Sequence, residues 1–102
     1  MMKKALILAT AAALLMPAAA MADRTGEEVY KTKCAVCHAS GAANAPKLGD
    51  AAAWSSRAAL GTDALLETAK KGKGAMPPKG LCMDCNDGEL KSAIEYMVNN
   101  SK

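Results

Sequence analysis

Residues 34–38, in the stretch KCAVCHA, carry two cysteines separated by two residues and followed at once by a histidine. A second C-x-x-C, Cys82 and Cys85, lies in KGLCMDCND, where the next residue is Asn86. The two pairs account for all four cysteines of the chain, and His38 is its only histidine. These pairs constrain the fold more than any other feature, because this spacing is typical of cross-links, metal sites and covalent cofactor attachment.

The first 22 residues have the three parts of a secretory signal. MMKK is short and basic, ALILATAAALLM is apolar, and the segment ends in AMA, an A-x-A cleavage pattern. We therefore expect residues 1–22 to be a signal peptide that is cleaved before Asp23. The residue directly after the cleavage site is not a cysteine, so it cannot carry a bacterial lipid anchor. An uncleaved anchor is the alternative, but the stretch is rich in alanine and interrupted by Pro17.

The remaining segment, residues 23–102, is too small to build a large core on its own. It contains no Phe, one Trp and two Tyr. Chains of this kind usually need a disulfide, a metal or a cofactor, so the sequence predicts a missing apolar mass. Two of the 13 basic residues lie in the signal, which leaves a formal charge of +1 and argues against a nucleic-acid partner. Export also indicates an oxidising compartment.

The segment shows helical patterns and no period-2 strand pattern, so we expect an all-α fold with about four helices. DRTGEEVYKTKCAVCH begins with a capping box, Thr25 and Glu28, which predicts a helix from about Gly26 to Cys37. The stretches ASGAANAPKLGD and GKGAMPPKG are rich in glycine and proline and are predicted to be loops.

Three further helices are predicted from their capping signals. DAAAWSSRAALG is expected to begin after Asp50, and TDALLETAKKG to use Thr62 or Asp63 as its N-cap. NDGELKSAIEYMVNN begins with a second capping box, formed by Asn86 and Glu89.

The C-x-x-C-H motif is a specific signal for covalent haem attachment. Residues three and four apart share a helix face, so Cys34 and Cys37 can bond the two vinyl groups while His38 turns under the iron. A thioredoxin-like dithiol would need a βαβ context, which the pattern lacks. A four-cysteine zinc site would place 44 residues between Cys37 and Cys82, against about 15 to 20 in common zinc ribbons.

At this motif the chain resembles the class I c-type cytochromes, and most closely the bacterial cytochrome c5 group. The resemblance is carried by CAVCHASG, NAPKLGD, GAMPPKG, CMDC and ELKSAIEYM, and it covers nearly all of residues 23–102. It implies a small class I cytochrome c-like fold, about four short helices wrapped around one covalently bound haem c with its iron. It also implies a periplasmic one-electron carrier rather than an enzyme.

Three methionines of residues 23–102 are candidates for the sixth iron ligand. Met97 recurs with Leu90 and Ile94 at helical spacing, which indicates a core position. Met83 is confined inside the second C-x-x-C. Met76 lies in the Gly- and Pro-rich loop where the resemblance also places the axial methionine, and a loop methionine that only packs on the ring edge is the alternative. His/Met ligation raises the reduction potential and leaves no open position for oxygen.

The resemblance further implies that a proline carbonyl accepts a hydrogen bond from the axial histidine, and Pro46 is the matching residue. Trp54 and Arg57 lie one turn apart on a predicted helix, so one or both are candidates for a hydrogen bond to a haem propionate. The alternative is that Trp54 is a core residue and Arg57 a solvated charge.

With the first pair assigned to haem, Cys82 and Cys85 have only each other. No histidine follows them, so they do not form a second attachment motif. A disulfide is expected in an oxidising compartment, and the cytochrome c5 resemblance implies the same bond. It would hold the chain between the Met76 loop and the helix capped by Asn86, and a reducible regulatory dithiol is the alternative.

Four lysines, Lys70, Lys71, Lys73 and Lys79, surround Met76 in sequence. They are predicted to border the haem edge and to steer an acidic redox partner, although a lysine run is often only a solvated face. The expected role is electron transfer between a membrane quinol-oxidising complex and a terminal oxidase or reductase. We expect a monomer or weak dimer with no membrane span after cleavage. The alternatives are a peroxidase-like enzyme, a haem-based sensor with a labile sixth ligand, or a permanently docked subunit.

Overall fold

The computed structural model describes residues 23–102, so the predicted signal peptide lies outside the described residues. The described chain is all-α, as predicted. Its helices are α1 (Gly26–Val29), α2 (Ala35–His38), α3 (Ala51–Ala58), α4 (Thr62–Lys71) and α5 (Asp87–Asn99). A π-helical segment, Tyr30–Cys34, joins α1 to α2, and two 3₁₀ segments, Ala42–Asn44 and Pro78–Leu81, lie in the loops.

The first predicted helix is one continuous stretch that runs from α1 through the π-helical segment to the end of α2. The Thr25 hydroxyl accepts from the Glu28 backbone N–H at 3.1 Å, and the Glu28 carboxylate accepts from the Thr25 N–H at 3.4 Å. The Thr32 hydroxyl donates to the Glu28 carbonyl at 2.8 Å, which competes with the regular backbone pattern at the start of the π-helical segment. That segment ends at Cys34, so the cysteine motif begins where the helix changes its register.

One predicted cap is wrong. α4 begins at Thr62, and its N-cap is Gly61 with no side-chain hydrogen bond, so neither Thr62 nor Asp63 caps the helix. Gly61 has a φ of 90°, which residues with a Cβ rarely adopt, and this turn brings the chain into the helix one or two residues earlier than predicted. Asp50, in contrast, caps α3 by accepting from the Ala53 N–H at 3.1 Å.

The last helix has the predicted capping box. The Asn86 side chain accepts from the Glu89 N–H at 2.8 Å, and the Glu89 carboxylate accepts from the Asn86 N–H at 3.1 Å. The apolar stripe of Leu90, Ile94 and Met97 is buried. α5 therefore presents one apolar face to the interior of the fold.

α1 crosses α5 at very close range, with Gly26 against Ser92. A Cβ on Gly26 would overlap the Ser92 carbonyl oxygen, so only glycine allows the two backbones to approach this closely. Val29, one turn further along, is fully buried with Leu90 and Ala93. The crossing sets the position of the helix that carries the first cysteine pair.

The proline-rich loop is irregular, as predicted. Lys79, Gly80 and Leu81 all have left-handed φ values, so the Pro78–Leu81 turn does not extend into a helix. Met76 and Lys73 exchange two backbone hydrogen bonds of 3.0 Å each, which is the only β-type pairing in residues 23–102. In the same residues, no helix is long and apolar enough to cross a membrane.

Candidate haem-binding site

A cavity of about 840 Å³ lies between the first cysteine motif, the two loops and the apolar face of α5. This volume is within the range of about 300 to 1,000 Å³ that is typical of small-molecule and cofactor sites. Its lining includes Cys34, Cys37, His38, Pro46, Met76, Leu90, Ala93, Ile94 and Met97. The structure thus opens a space at the place where the sequence predicts missing apolar mass.

Cys34 and Cys37 both line this cavity and both carry unbonded, half-buried thiols in the structure. Cys34 is the last residue of the π-helical segment, and Cys37 lies in α2, so one continuous helical stretch presents both sulfurs. Burial raises the pKa of the Cys34 thiol.

His38 is held at the cavity wall with only 8% of its surface exposed. Its Nδ1 lies 2.8 Å from the Pro46 carbonyl oxygen, the contact that the resemblance implies. A carbonyl only accepts, so Nδ1 carries the proton and Nε2 keeps the lone pair that a metal requires. The hydrogen bond therefore selects the tautomer that an iron ligand needs.

Met76 is the only one of the three candidate methionines that lies both in a loop and in the cavity lining. It is half-buried and is fixed by its two backbone hydrogen bonds to Lys73. Met97 also borders the cavity but packs in the core with Tyr30 and Trp54. Met83 is 69% exposed on the second cysteine turn, away from the lining.

Trp54 and Arg57 both lie in the cavity lining, but their side chains are used differently. Trp54 is 5% exposed, and its single N–H donates to the Lys47 carbonyl at 3.0 Å. Because its only N–H donor is already used, Trp54 fits the interpretation as a core residue. Arg57 donates one N–H to the Ala53 carbonyl of its own helix, and the other N–H groups of a guanidinium stay available for an anion in the cavity.

Cys82 and Cys85 are joined by a disulfide in the structure and are 0% and 2% exposed. They pack with Val29 and α5, and the side chain of Cys34 borders the same cluster. The carboxylate of Asp84 lies near both sulfurs, but sulfurs that are bonded to each other leave no thiolates for a metal. Because Cys82 and Cys85 are bonded to each other, and neither Cys34 nor Cys37 joins their group of possible ligands, the described residues do not form a shared four-cysteine zinc site.

Only two of the four lysines that were predicted to border the haem edge line the cavity. Lys73 and Lys79 line the cavity, whereas Lys71 is exposed outside the lining. Lys70 belongs elsewhere: its Nζ lies 3.0 Å from an Asp87 carboxylate oxygen, which raises the pKa of the lysine. Because α4 packs on α5, the Lys70 side chain lies toward the start of α5 and outside the cavity lining.

Two features of the cavity mouth are not predicted from the sequence. Lys33, directly before the cysteine motif, joins the lining, and its position one residue before Cys34 is the signal that could have indicated this. Val36, Leu60 and Leu81 are 77%, 66% and 67% exposed and also border the cavity. The mouth therefore combines exposed apolar side chains with lysines.

The residues present fit a covalently bound haem. One apolar cavity contains two thiols, an imidazole with Nε2 available, and a thioether from a constrained loop. Both thiols come from the same helical stretch, as attachment to one porphyrin edge requires, and the imidazole that would bind the iron directly follows the second cysteine.

Comparisons with known proteins also indicate a c-type cytochrome. The model of a family described as cytochrome c oxidase, cbb3-type, subunit III, matches residues 21–97. Cytochrome c5 of Azotobacter vinelandii is 51% identical over 76 residues, which are 72% of this chain and 92% of that protein.

Two solved structures extend the match to the fold. The first is a crystal structure of an electron transfer complex of nitrite reductase with cytochrome c, with a TM-score of 0.75 and 51% identity over 78% of this chain and 98% of that chain. The second is a mono-heme ferrocytochrome c from Shewanella putrefaciens, with a TM-score of 0.69 and 45% identity over 79% of this chain and 100% of that chain.

Proposed function

The chain belongs to the class I c-type cytochromes, close to the cytochromes c5, and we propose that it is a periplasmic one-electron carrier with His38 and Met76 as axial iron ligands. Its cofactor is one covalently attached haem c, as in the family. The observation that carries the proposal is the 2.8 Å bond from His38 Nδ1 to Pro46, made beside two cavity-lining thiols.

Each residue has a distinct role in this proposal. When bound, the haem supplies an iron that cycles between Fe(II) and Fe(III). Cys34 and Cys37 hold the porphyrin covalently, and His38 is held by Pro46 in the tautomer that coordinates. Met76 would supply the second protein ligand to the iron, and a thioether ligand there would raise the reduction potential. The apolar face of α5 excludes water from the site.

The mouth of the cavity is the proposed contact surface for redox partners. Its exposed apolar residues, Val36, Leu60 and Leu81, suit a small transient interface, and the lysines at the mouth suit an acidic partner. One structural neighbour is a cytochrome c in an electron transfer complex with nitrite reductase. For this chain we propose a quinol-oxidising membrane complex as donor and a terminal oxidase or reductase as acceptor.

Carbon monoxide binding to the ferrous protein tests this function. A carrier with firm Met76 ligation binds carbon monoxide poorly at neutral pH, whereas a sensor or a peroxidase-like enzyme binds it readily. Met76→Ala should open the site and lower the potential, and Met83→Ala is the matched control because Met83 lies outside the cavity lining. Ready binding by the wild-type protein would contradict the axial assignment.

Intact mass of the exported protein tests the remaining parts of the proposal. The expected mass is that of residues 23–102 plus one haem, with Cys82 and Cys85 oxidised. A mass that includes residues 1–22 would show that the signal segment is retained.

A further inference from the structure

Four consecutive backbone residues, Pro46–Gly49, are held in place by hydrogen bonds. Two of these bonds go to His38: its Nδ1 donates to the Pro46 carbonyl at 2.8 Å, and its own carbonyl accepts from the Leu48 N–H at 2.7 Å. The segment is therefore the immediate support of the proposed axial ligand.

Two further bonds connect this segment to α3 and to the residues that follow α5. The Trp54 Nε1–H of α3 donates to the Lys47 carbonyl at 3.0 Å. The Ser101 hydroxyl, beyond the end of α5, accepts from the Gly49 N–H at 2.9 Å. Trp54 and Ser101 are 5% and 2% exposed, so both contacts are shielded from water. Buried hydrogen bonds of this kind fix backbone positions more firmly than exposed ones.

We propose that Trp54 and Ser101 are positioning residues for the axial histidine: by anchoring the backbone on either side of Leu48, they set the strength of the hydrogen bond from His38 to Pro46. The proposal rests on the proposed function, because it takes His38 as an iron ligand. Neither residue touches the iron in this scheme, and both act through the carbonyl of Pro46. The Trp54 ring also lies beside the His38 ring, with centroids 5.8 Å apart, which is why the Trp54 variant must keep an aromatic ring.

The physical link runs through the imidazole. A strong Nδ1–H···O=C bond moves electron density onto the ring and makes Nε2 a better donor, which stabilises Fe(III) relative to Fe(II). The Lys47 carbonyl also accepts from the Asp50 N–H at 3.0 Å, so the turn keeps part of its support when one donor is lost. Loss of either anchor is therefore expected to weaken the His38–Pro46 bond without unfolding the segment.

The test uses the haem-loaded protein with ¹⁵N-labelled histidine, because His38 is the only histidine and its Nδ1 gives the only imidazole N–H signal. The variants are Trp54→Phe, which removes the indole N–H and keeps an aromatic ring, and Ser101→Ala. We expect the Nδ1 proton to exchange with solvent about fivefold faster in each variant, the factor that corresponds to one ordinary hydrogen bond. We also expect a higher reduction potential in both.

Ser55→Ala is the matched control. The Ser55 hydroxyl donates to the Ala52 carbonyl at 3.3 Å on the exposed side of α3, so the change removes a similar bond one residue from Trp54. Its exchange rate and potential should equal those of the wild type. If Trp54→Phe does not take up haem, the single tryptophan can be replaced biosynthetically by benzothienylalanine, which has the same shape without the N–H.

The outcomes separate this inference from the proposed function. An unchanged Nδ1 exchange rate in either variant would overturn the positioning role. If Trp54 instead donated to a haem propionate, Trp54→Phe would alter the pH dependence of the potential and leave the Nδ1 proton unchanged. If the ¹⁵N spectrum of the wild-type protein shows no iron-bound Nε2, the proposed function itself is wrong.

Discussion

Arg24 Nε lies 2.7 Å from Glu89 Oε2, joining the segment before α1 to the first turn of α5 across 65 positions of the chain. The same carboxylate accepts from the Arg24 backbone N–H at 3.1 Å and caps α5 through the Asn86 N–H. Arg24 Nη2 also lies 3.5 Å from Cys85 Sγ. One side chain thus links the beginning of the described chain, the cap of its last helix and the disulfide.

This pair predicts a specific sensitivity to acid. The pKa of Glu89 is lowered from 4.5 to about 2. The main cause is the hydrogen bond that the Glu89 carboxylate accepts from the Arg24 side chain, and the second is the one that it accepts from the Asn86 N–H. The folded-state pKa is below the unfolded value, so the stabilisation is complete above pH 4.5 and is lost as the pH falls toward about 2. Arg24→Met should therefore lower Tm near neutral pH, and the difference from wild type should shrink across that window.

Thermal unfolding as a function of pH measures this effect. Lys31→Met is the control, because Lys31 forms an exposed i, i+4 pair with Glu27 at 2.7 Å and such pairs contribute little. A Tm difference for Arg24→Met that stays constant between pH 4.5 and 2 would show that Glu89 is not the titrating group.

The crossing of α1 and α5 predicts that Gly26→Ala is destabilising. The new Cβ would overlap the Ser92 carbonyl oxygen, and because this atom is backbone, the two helices must move apart. Overpacking of this kind costs about 1 to 3 kcal/mol. Gly88→Ala in α5 is the control, since its Cβ would meet only the side chains of Asn86 and Asp23 at 3.3 and 3.4 Å. Equal denaturant midpoints for the two variants would contradict the tight crossing.

Local sequence signals predicted much of this fold. The capping boxes at Thr25 and Asn86 and the buried stripe ending at Met97 each depend on residues within one or two helical turns, so their spacing alone indicates them. The contact between His38 and Pro46 was accessible only through the family resemblance.

Long-range contacts were not predictable in this way. The pairing of Lys70 with Asp87 spans 17 positions and depends on how α4 packs on α5. The Arg24–Glu89 pair and the bond from Gly49 to Ser101 depend likewise on helix packing. A sequence pattern reports the face on which a side chain lies, and it does not report which distant element will cover that face.

The second cysteine pair predicts a local stabilisation that is separate from haem attachment. Cys82→Ser with Cys85→Ser should retain haem and melt at a lower temperature, because closing a loop of this length contributes about 2 kcal/mol in the chain-entropy model. The measurement is haem content together with thermal unfolding, with and without a thiol reductant. Reductant should lower the Tm of the wild type and leave the double variant unchanged. Loss of haem from the double variant would contradict the division of roles between the two pairs.

The positions of the lysines relative to the cavity predict which of their charges affect the rate of electron transfer. Lys33 and Lys73 line the cavity mouth, whereas Lys70 is paired with Asp87. With ferricyanide as an anionic oxidant, Lys33→Gln and Lys73→Gln should each slow the second-order rate about twofold at low ionic strength, and salt should remove the difference. Lys70→Gln is the matched control and should behave as the wild type. A cationic cobalt oxidant should show the opposite sign, and a rate that does not depend on salt with either reagent would contradict electrostatic steering at this mouth.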